Sequence, residues 1–235
     1  MMNRLFDITT SVLATAARLG YAERVGALGP RPQKPLELYE FEACPFCRKV
    51  REALTVLDLD AIIYPCPKGG PRFREEVKRR GGKAQFPYLV DPNTGKEMYE
   101  SDDITRYLFA TYGPGTVPFM LSAGPLTNAT ASTASIMRLW RGSFYRRSTP
   151  PALLLELYSY EGSPFCRIVR EALCELELPY LLHNVAKGSP KREAFVQRAG
   201  KMQVPYLVDP NHNVAMFESA DIVAYLQATY AESGR

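Results

Sequence analysis

The feature that most constrains this chain is an internal duplication. "LELYEFEACPFCRKVREAL" from Leu36 aligns with "LELYSYEGSPFCRIVREAL" from Leu155, an offset of 155 − 36 = 119 residues. "FPYLVDPN", holding Pro87, aligns with "VPYLVDPN", holding Pro205, at 205 − 87 = 118, and "MYESDDITRYLFATY" aligns with "MFESADIVAYLQATY" at the same offset. One deletion in the second copy, between Pro190 and Lys201, accounts for the change of offset. Segments this similar adopt one fold, so the chain is expected to build the same unit twice. A fainter echo links "ATAARLGYA" from Ala14 to "ASTASIMRLWRG" from Ala131. Both read as short helices rich in small residues, which makes the repeating unit a helix plus a domain; chance similarity of Ala/Ser/Thr-rich composition is the competing explanation.

Within each copy strand and helix signals alternate. "LELYEF" is a short apolar and aromatic strand, after which Val50, Ala53, Leu54 and Leu57 recur at helical spacing. "DAIIYPCP" reads as a second strand and "RFREEVKRRGG" as a polar helix ended by glycine. "PYLVD", the turn "PNTG" and "KEMYE" read as a hairpin, and "SDDITRYLFATYG" as a helix with Ser101 as N-cap and Asp102 and Asp103 in its first turn. The order β-α-β-α-β-β-α predicts an α/β fold of two tandem domains, each a mixed four-stranded sheet flanked by helices. The expected division is a helical lead over residues 1–35, a first domain over 36–113, a linker with a helical segment over 114–154, and a second domain over 155–231.

The 235 residues, 46% of them apolar, suffice for a full core. The formal charge of +4 comes from Lys and Arg interleaved with Asp and Glu, so no nucleic-acid-binding stripe is expected. No run reaches the length of a transmembrane helix. The N-terminal apolar stretch is broken by Asp7 and closed by Arg18, which argues against a secretory signal and leaves an organelle transit sequence open. Five cysteines, two of them in a C-x-x-C, suit a reducing compartment and a redox or metal-binding use of thiols.

Chemistry concentrates at Cys44, where a strand gives way to a helix. Pro45 suits the first helical position, and the unpaired N–H groups of the first turn present positive potential to the sulfur, with Arg48 and Arg51 adding charge further along. Such a thiol is expected to have a lowered pKa, and Cys47, one turn deeper, to lie within disulfide reach. Half of a zinc site, or two incidental core thiols, are the alternatives. No second C-x-x-C or suitably spaced His pair accompanies it, and His183 and His212 both lie in the other half, so no metal site is predicted.

The strand-C-P-F-C-helix, the "FPYLVD" proline and the "YESDDI" helix start together resemble the thioredoxin-like, glutathione-binding N-terminal domain of glutathione S-transferases, and the C-P-x-C is similar to that of glutaredoxins. The whole chain resembles tandem proteins of this kind from plants and cyanobacteria. The resemblance implies that Pro87 and Pro205 are cis prolines, that the backbones of Phe86 and Val204 meet the cysteinyl part of glutathione, and that Glu100 and Ser101, with Glu218 and Ser219, hold its γ-glutamyl end. Read structurally, the same serines are N-caps and the same prolines turn formers. The chain departs from transferases in that no all-helical domain of the usual size follows either copy, which puts conjugation of bulky apolar substrates in doubt.

In the second copy Ser163 stands where Cys44 stands, and Cys166 matches Cys47. A serine cannot form a mixed disulfide; it either donates a hydrogen bond to a glutathione thiolate or is a remnant, and Cys166 reads as a buried small hydrophobe. Cys66 and Cys174 are expected to be packed, Lys68 and Lys187 to be solvated or to meet the glycyl carboxylate of glutathione, and Trp140 and Tyr145 to pack between the domains. The leading expectation is a glutathione-dependent thiol-disulfide oxidoreductase with Cys44 as nucleophile and Cys47 as resolving thiol, acting on a small-molecule or protein disulfide, in the cytoplasm or in the plastid stroma. A transferase or isomerase acting on a small electrophile, and a non-catalytic glutathione-binding or protein-docking module, are the alternatives.

Overall fold

The computed structural model describes residues 8–13, 21–122, 138 and 140–232. The first repeat runs β1 (Leu36–Glu40), α1 (Pro45–Val56), β2 (Ala61–Pro65), α2 (Phe73–Gly81), β3 (Tyr88–Asp91), β4 (Lys96–Met98) and α3 (Ser101–Tyr112), followed by the single turn α4 (Phe119–Ser122). The second runs β5 (Leu155–Ser159), α5 (Pro164–Glu175), β6 (Tyr180–Asn184), α6 (Arg192–Ala199), β7 (Tyr206–Asp209), β8 (Val214–Phe217) and α7 (Ser219–Tyr230). The predicted order therefore appears in both copies, and the deletion shortens α6 to 8 residues against 9 in α2. No helix among the described residues is long and apolar enough to cross a membrane.

In each copy a parallel strand pair is extended by an antiparallel hairpin: β1 runs parallel to β2 and antiparallel to β3, and β5 stands in the same relation to β6 and β7. The expected pair of four-stranded sheets is realised as one eight-stranded sheet in the order β4-β3-β1-β2-β6-β5-β7-β8. The join is antiparallel, with Ala61 opposite Leu182, Ile62 opposite Leu181 and Ile63 opposite Tyr180. An unpaired edge leaves a row of N–H and C=O groups, and pairing β2 with its own duplicate covers both edges at once.

Strand alternation sends Leu36 and Leu38 to the sheet face covered by α1 and α3, and Tyr39 to the opposite face beside Val77 of α2. Leu155, Leu157 and Tyr158 repeat the pattern, and the α1/α3 and α5/α7 sides merge into one apolar core. Val50, Leu54 and Leu57 are fully buried there, each worth about 1.5–3 kcal/mol by transfer from water. Asp91 and Asp209, the acids of the two "VDPN" turns, anchor the last helix of each copy: Asp91 accepts from the hydroxyls of Tyr107 and Tyr112, each at 2.6 Å, and Asp209 from those of Tyr225 at 2.7 Å and Tyr230 at 2.6 Å.

The segment leading into each repeat crosses to the other one. Lys187 N–H donates to Glu23 O and Val25 N–H to Lys187 O, both at 2.9 Å; Lys68 N–H donates to Ser143 O at 2.6 Å and Tyr145 N–H to Lys68 O at 2.9 Å. These are the same two bonds, made once in each half at matching positions. Ala22 (φ 64°) and Gly142 (φ 75°) share the left-handed conformation that lets the backbone turn at each crossing. The contact is close: a Cβ on Gly162 would lie 2.8 Å from Glu23 Cγ and 3.0 Å from Ala22 O, and one on Gly142 would lie 2.7 Å from Glu42 Cβ. The described ends of the leads thus make matching contacts, while residues 14–20 and 131–137, where helices were expected, lie outside the described residues.

α1 and α5 meet through charge. Arg51 Nε contacts Glu161 Oε2 at 2.9 Å, Arg170 Nε contacts Glu42 Oε2 at 3.1 Å, and Arg170 Nη2 contacts Glu161 Oε2 at 2.8 Å, while Arg51 also pairs with Glu40. Burial raises the Glu161 carboxyl, but Arg170, Arg51 and Arg48 outweigh it and hold it at about 2. For Glu40 burial prevails over the attraction of Arg51, with Glu42 and Glu161 adding repulsion, and its carboxyl is raised to about 7.

Candidate functional site

β1 delivers the chain to a turn that ends at Cys44, the N-cap of α1, with Pro45 in the first helical turn. Cys44 has φ −74° and ψ 121°, and its Sγ accepts the Cys47 N–H at 3.3 Å. Hydrogen bonding from the Cys47 side chain, with the backbone N–H groups of Cys47 and Phe46, lowers the Cys44 thiol pKa against the opposing effects of burial and Glu40. Burial instead pushes the Cys47 thiol well up. Both cysteines are free and buried, Cys44 at 4% exposure, while Phe46 between them is 44% exposed.

Arg48 and Arg51 do not serve Cys44 as expected. Arg48 turns to Glu52 at 3.1 Å and Arg51 to the glutamates of the α1–α5 contact, because a buried guanidinium needs a carboxylate more than a thiol needs a distant charge. Cys66 and Cys174 are buried, and burial raises both thiols well above their ordinary value.

The Phe86–Pro87 and Val204–Pro205 peptide bonds are both cis. The Phe86 ring packs edge-on against Phe41 with centroids 6.3 Å apart, which places the residue before the cis proline beside the turn leading to Cys44. Ladder pairing begins only at Tyr88, so Phe86 and Pro87 precede the paired strand.

The Glu-Ser pairs open α3 and α7. Ser101 is not the N-cap: that position is Glu100, held at φ 66° and ψ 113°, and Ser101 is the first helical residue, buried, its carbonyl accepting the Thr105 hydroxyl at 2.7 Å. Glu218 (φ 68°, ψ 115°) and Ser219 repeat the arrangement. Each glutamate is exposed and oriented by a glutamine not singled out in the sequence: Gln85 Nε2 donates to Glu100 Oε1 and Gln203 Nε2 to Glu218 Oε1, both at 2.6 Å. The available signal was a Gln two residues before the cis proline in both copies.

The second copy reproduces this geometry with another atom at the N-cap. Ser163 has φ −79° and ψ 119°, and its Oγ accepts the Cys166 N–H at 3.3 Å. Cys166 is fully buried, which raises its thiol. Around the sites the copies differ more. The Lys68 ammonium lies 6.0 Å from the Trp140 ring centroid and 5.6 Å from that of Phe144, whereas Lys187 pairs with Glu23 at 2.8 Å. Trp140 is 51% exposed and so does not fill the space between the repeats, while Tyr145 is strapped to Lys68 through its backbone.

The family model described as glutathione S-transferase, N-terminal domain, matches the chain twice, over residues 38–120 and 157–234. The glutathione S-transferase-like protein OpS6 of Beauveria bassiana is 31% identical over 81 residues, 34% of this chain and 37% of that protein, so the chain spans little more than a third of that relative's length. Among solved structures, the Bombyx mori glutathione transferase BmGSTD1 is similar at 28% identity over 36% of this chain and 39% of its own, with a TM-score of 0.33. The Leishmania glutathione transferase TDR1 is similar at 17% identity over 86% and 68%, with a TM-score of 0.30. Each match to the family model begins inside the first strand of a repeat and runs past its last helix, taking in an N-cap Cys or Ser, a cis proline and a Glu-Ser helix start; the chain belongs to the glutathione S-transferase N-terminal-domain family.

Proposed function

We propose that the first repeat is a glutathione-dependent thiol-disulfide oxidoreductase centre and that the second, over residues 155–231, is a tandem copy of it without the attacking sulfur. The observation that carries this reading is the asymmetry of the two thiols: Cys44, at the helix start, is lowered, and Cys47, one turn deeper, is raised. An attacking thiol has to be ionised near neutral pH, and a resolving thiol has to wait. The Cys44 thiolate attacks a disulfide, forming a mixed disulfide and expelling the other sulfur as a thiolate that takes up a proton. Either a glutathione thiolate or Cys47, after losing its proton, then attacks at sulfur and completes the exchange. Two electrons pass from two thiols to one disulfide.

Glutathione fits as the reductant. Glu100, held by Gln85, offers a carboxylate to an ammonium; the N–H groups at the start of α3 suit a carboxylate; and the backbone at Phe86 precedes the ladder, where a peptide can bond. Glu218, Ser219 and Val204 supply the same groups in the second repeat. A free dithiol suits a reducing compartment, the cytoplasm or the plastid stroma.

The transferase reading draws support from the half-exposed Phe46, Trp140 and Phe144, which would give a small apolar electrophile a surface. Glutathione-coupled disulfide reduction and conjugation of a generic electrophile, run side by side on the wild type and on Cys44→Ser, separate the two. The proposal expects reduction that is lost in the variant; conjugation without reduction would replace it.

A further inference from the structure

Among the described residues, the charged contact between α1 and α5 leaves the two Nη groups of one guanidinium without a hydrogen bond. Glu42 and Glu161 are taken by Arg51 and Arg170, with Arg48 Nε 3.6 Å from the second oxygen of Glu161, and Glu40 is taken by Arg51. Arg48 Nε donates to Glu52 at 3.1 Å. Glu171, the duplicate of Glu52 and the acid Arg167 would be expected to use, is captured instead by Arg138, whose Nε donates to it at 2.7 Å and whose Nη2 pairs with it as well. Arg167, the duplicate of Arg48, is 4% exposed, and neither its Nη1 nor its Nη2 has a hydrogen-bond partner. Arg48 Nη2 has none either.

Both arginines line the same small cavity, of about 10 Å³, at the pseudo-twofold between the repeats. Burial, and next the proximity of Arg48, press the Arg167 guanidinium down to about 9. Two buried guanidiniums, only one of them ion-paired, thus line one cavity with three N–H-bearing nitrogens to spare. Duplication produces this arrangement, since a residue near the twofold axis meets its own copy, and a basic residue therefore meets a basic one.

We propose that this cavity is an anion site that takes one monovalent inorganic anion of halide size, held between Arg48 and Arg167. The volume admits a single small particle and excludes a larger oxyanion. Water would satisfy the N–H groups and leave the positive charge uncompensated, whereas a halide accepts the N–H groups and offsets the charge. Three carboxylates line the same cavity: Glu42 and Glu171 are paired with Arg170 and Arg138, while Glu161, paired through Oε2 with Arg51 and Arg170, keeps an Oε1 without a hydrogen bond 3.6 Å from Arg48 Nε; five arginines line the cavity against these three acids and leave it a net positive charge. The ion would join the two repeats, so its effect should appear as stability of the whole chain.

The test uses the full chain in gluconate buffer, with chloride or bromide replacing gluconate at constant ionic strength. The thermal midpoint should rise and saturate with halide, by about 5–10 °C once halide exceeds its Kd about 100-fold. Bromide should give an anomalous-scattering peak between Arg48 and Arg167 in crystals, and Arg167→Gln should abolish the halide-specific rise. Equal responses to gluconate and halide, a rise that survives in Arg167→Gln, or the absence of bromide at the cavity would overturn the proposal. Occupancy only at molar bromide would mean an adventitious ion only and would overturn it too. Should Arg167→Gln fail to fold, the bromide map of the wild type decides alone.

Discussion

The two N-caps, Cys44 and Ser163, differ by 5° in φ and 2° in ψ (−74° against −79°, 121° against 119°), and each accepts the N–H three residues on at 3.3 Å. What separates them is one atom, sulfur against oxygen. A thiol there is lowered toward ionisation, while a hydroxyl stays protonated throughout the neutral range, so the exchange chemistry proposed for the first half has no attacking atom in the second. Duplication copies the fold and leaves each side chain free to change. The surroundings have diverged accordingly. Lys49 of α1 pairs with Asp102 of α3 in the first half, and Ile168 and Ala220 stand at those positions in the second. Glu40 pairs with Arg51, and Ser159 stands where Glu40 would be.

The largest effect should come from moving the sulfur. Cys44→Ser is expected to abolish glutathione-coupled exchange, and adding Ser163→Cys to it should return a measurable part, with a Cys166 disulfide found by peptide mapping after oxidation. A disulfide without activity would mean that the second groove no longer binds glutathione.

Next in size is the shared interface. Glu161→Gln should destabilise the chain by about 3 kcal/mol in denaturant unfolding, because it strips a carboxylate from buried Arg51 and Arg170. The carboxyl is held at about 2, below the ordinary value near 4.5, so its contribution is full above pH 4.5 and is lost as pH falls toward 2. Glu40, raised to about 7, acts with the opposite sign: its contribution is full below pH 4.5 and is lost as pH rises through 7. Stability measured against pH should lose its acid flank in Glu161→Gln and its neutral flank in Glu40→Gln. If both variants keep the wild-type profile, the pH dependence arises elsewhere.

Packing at the crossings should distinguish the halves by less. Gly162→Ala forces a Cβ against the lead at Glu23 and is expected to cost about 1–3 kcal/mol, whereas the first half already carries Ala43 at the matching position. An unchanged midpoint in Gly162→Ala would show that the lead yields.

The smallest effect expected is in the Lys49–Asp102 pair. Lys49 is buried and Asp102 is half exposed, so Asp102→Ala alone should cost more than the double change Lys49→Ile with Asp102→Ala, which installs the second half's own solution. A thermal-denaturation double-mutant cycle measures the difference, and additive losses would deny the coupling.

Much of this molecule was legible from the chain alone. The repeat, the order of elements, Cys44 at the helix start and the hairpin after each proline all follow from local pattern, because helix periodicity, turn chemistry and capping act over a few residues. The α3 start was misjudged by one position for the same reason: Ser101 has the chemistry of an N-cap, yet the turn after β4 puts Glu100 there in a left-handed conformation. What the sequence by itself determined was therefore the unit and the atom that caps its first helix, sulfur in one copy and oxygen in the other. Only the tertiary structure decided how the units join. The β2–β6 pairing, the crossing of each lead to the opposite repeat, and the diversion of Arg51 from the thiol to a glutamate of the other repeat all depend on contacts between residues far apart in the chain, from 75 positions for Lys68 with Ser143 to more than a hundred for Arg51 with Glu161 and Arg170 with Glu42. No periodicity records such contacts, because what selects them is the free energy of covering two strand edges and pairing buried charges once the halves have met.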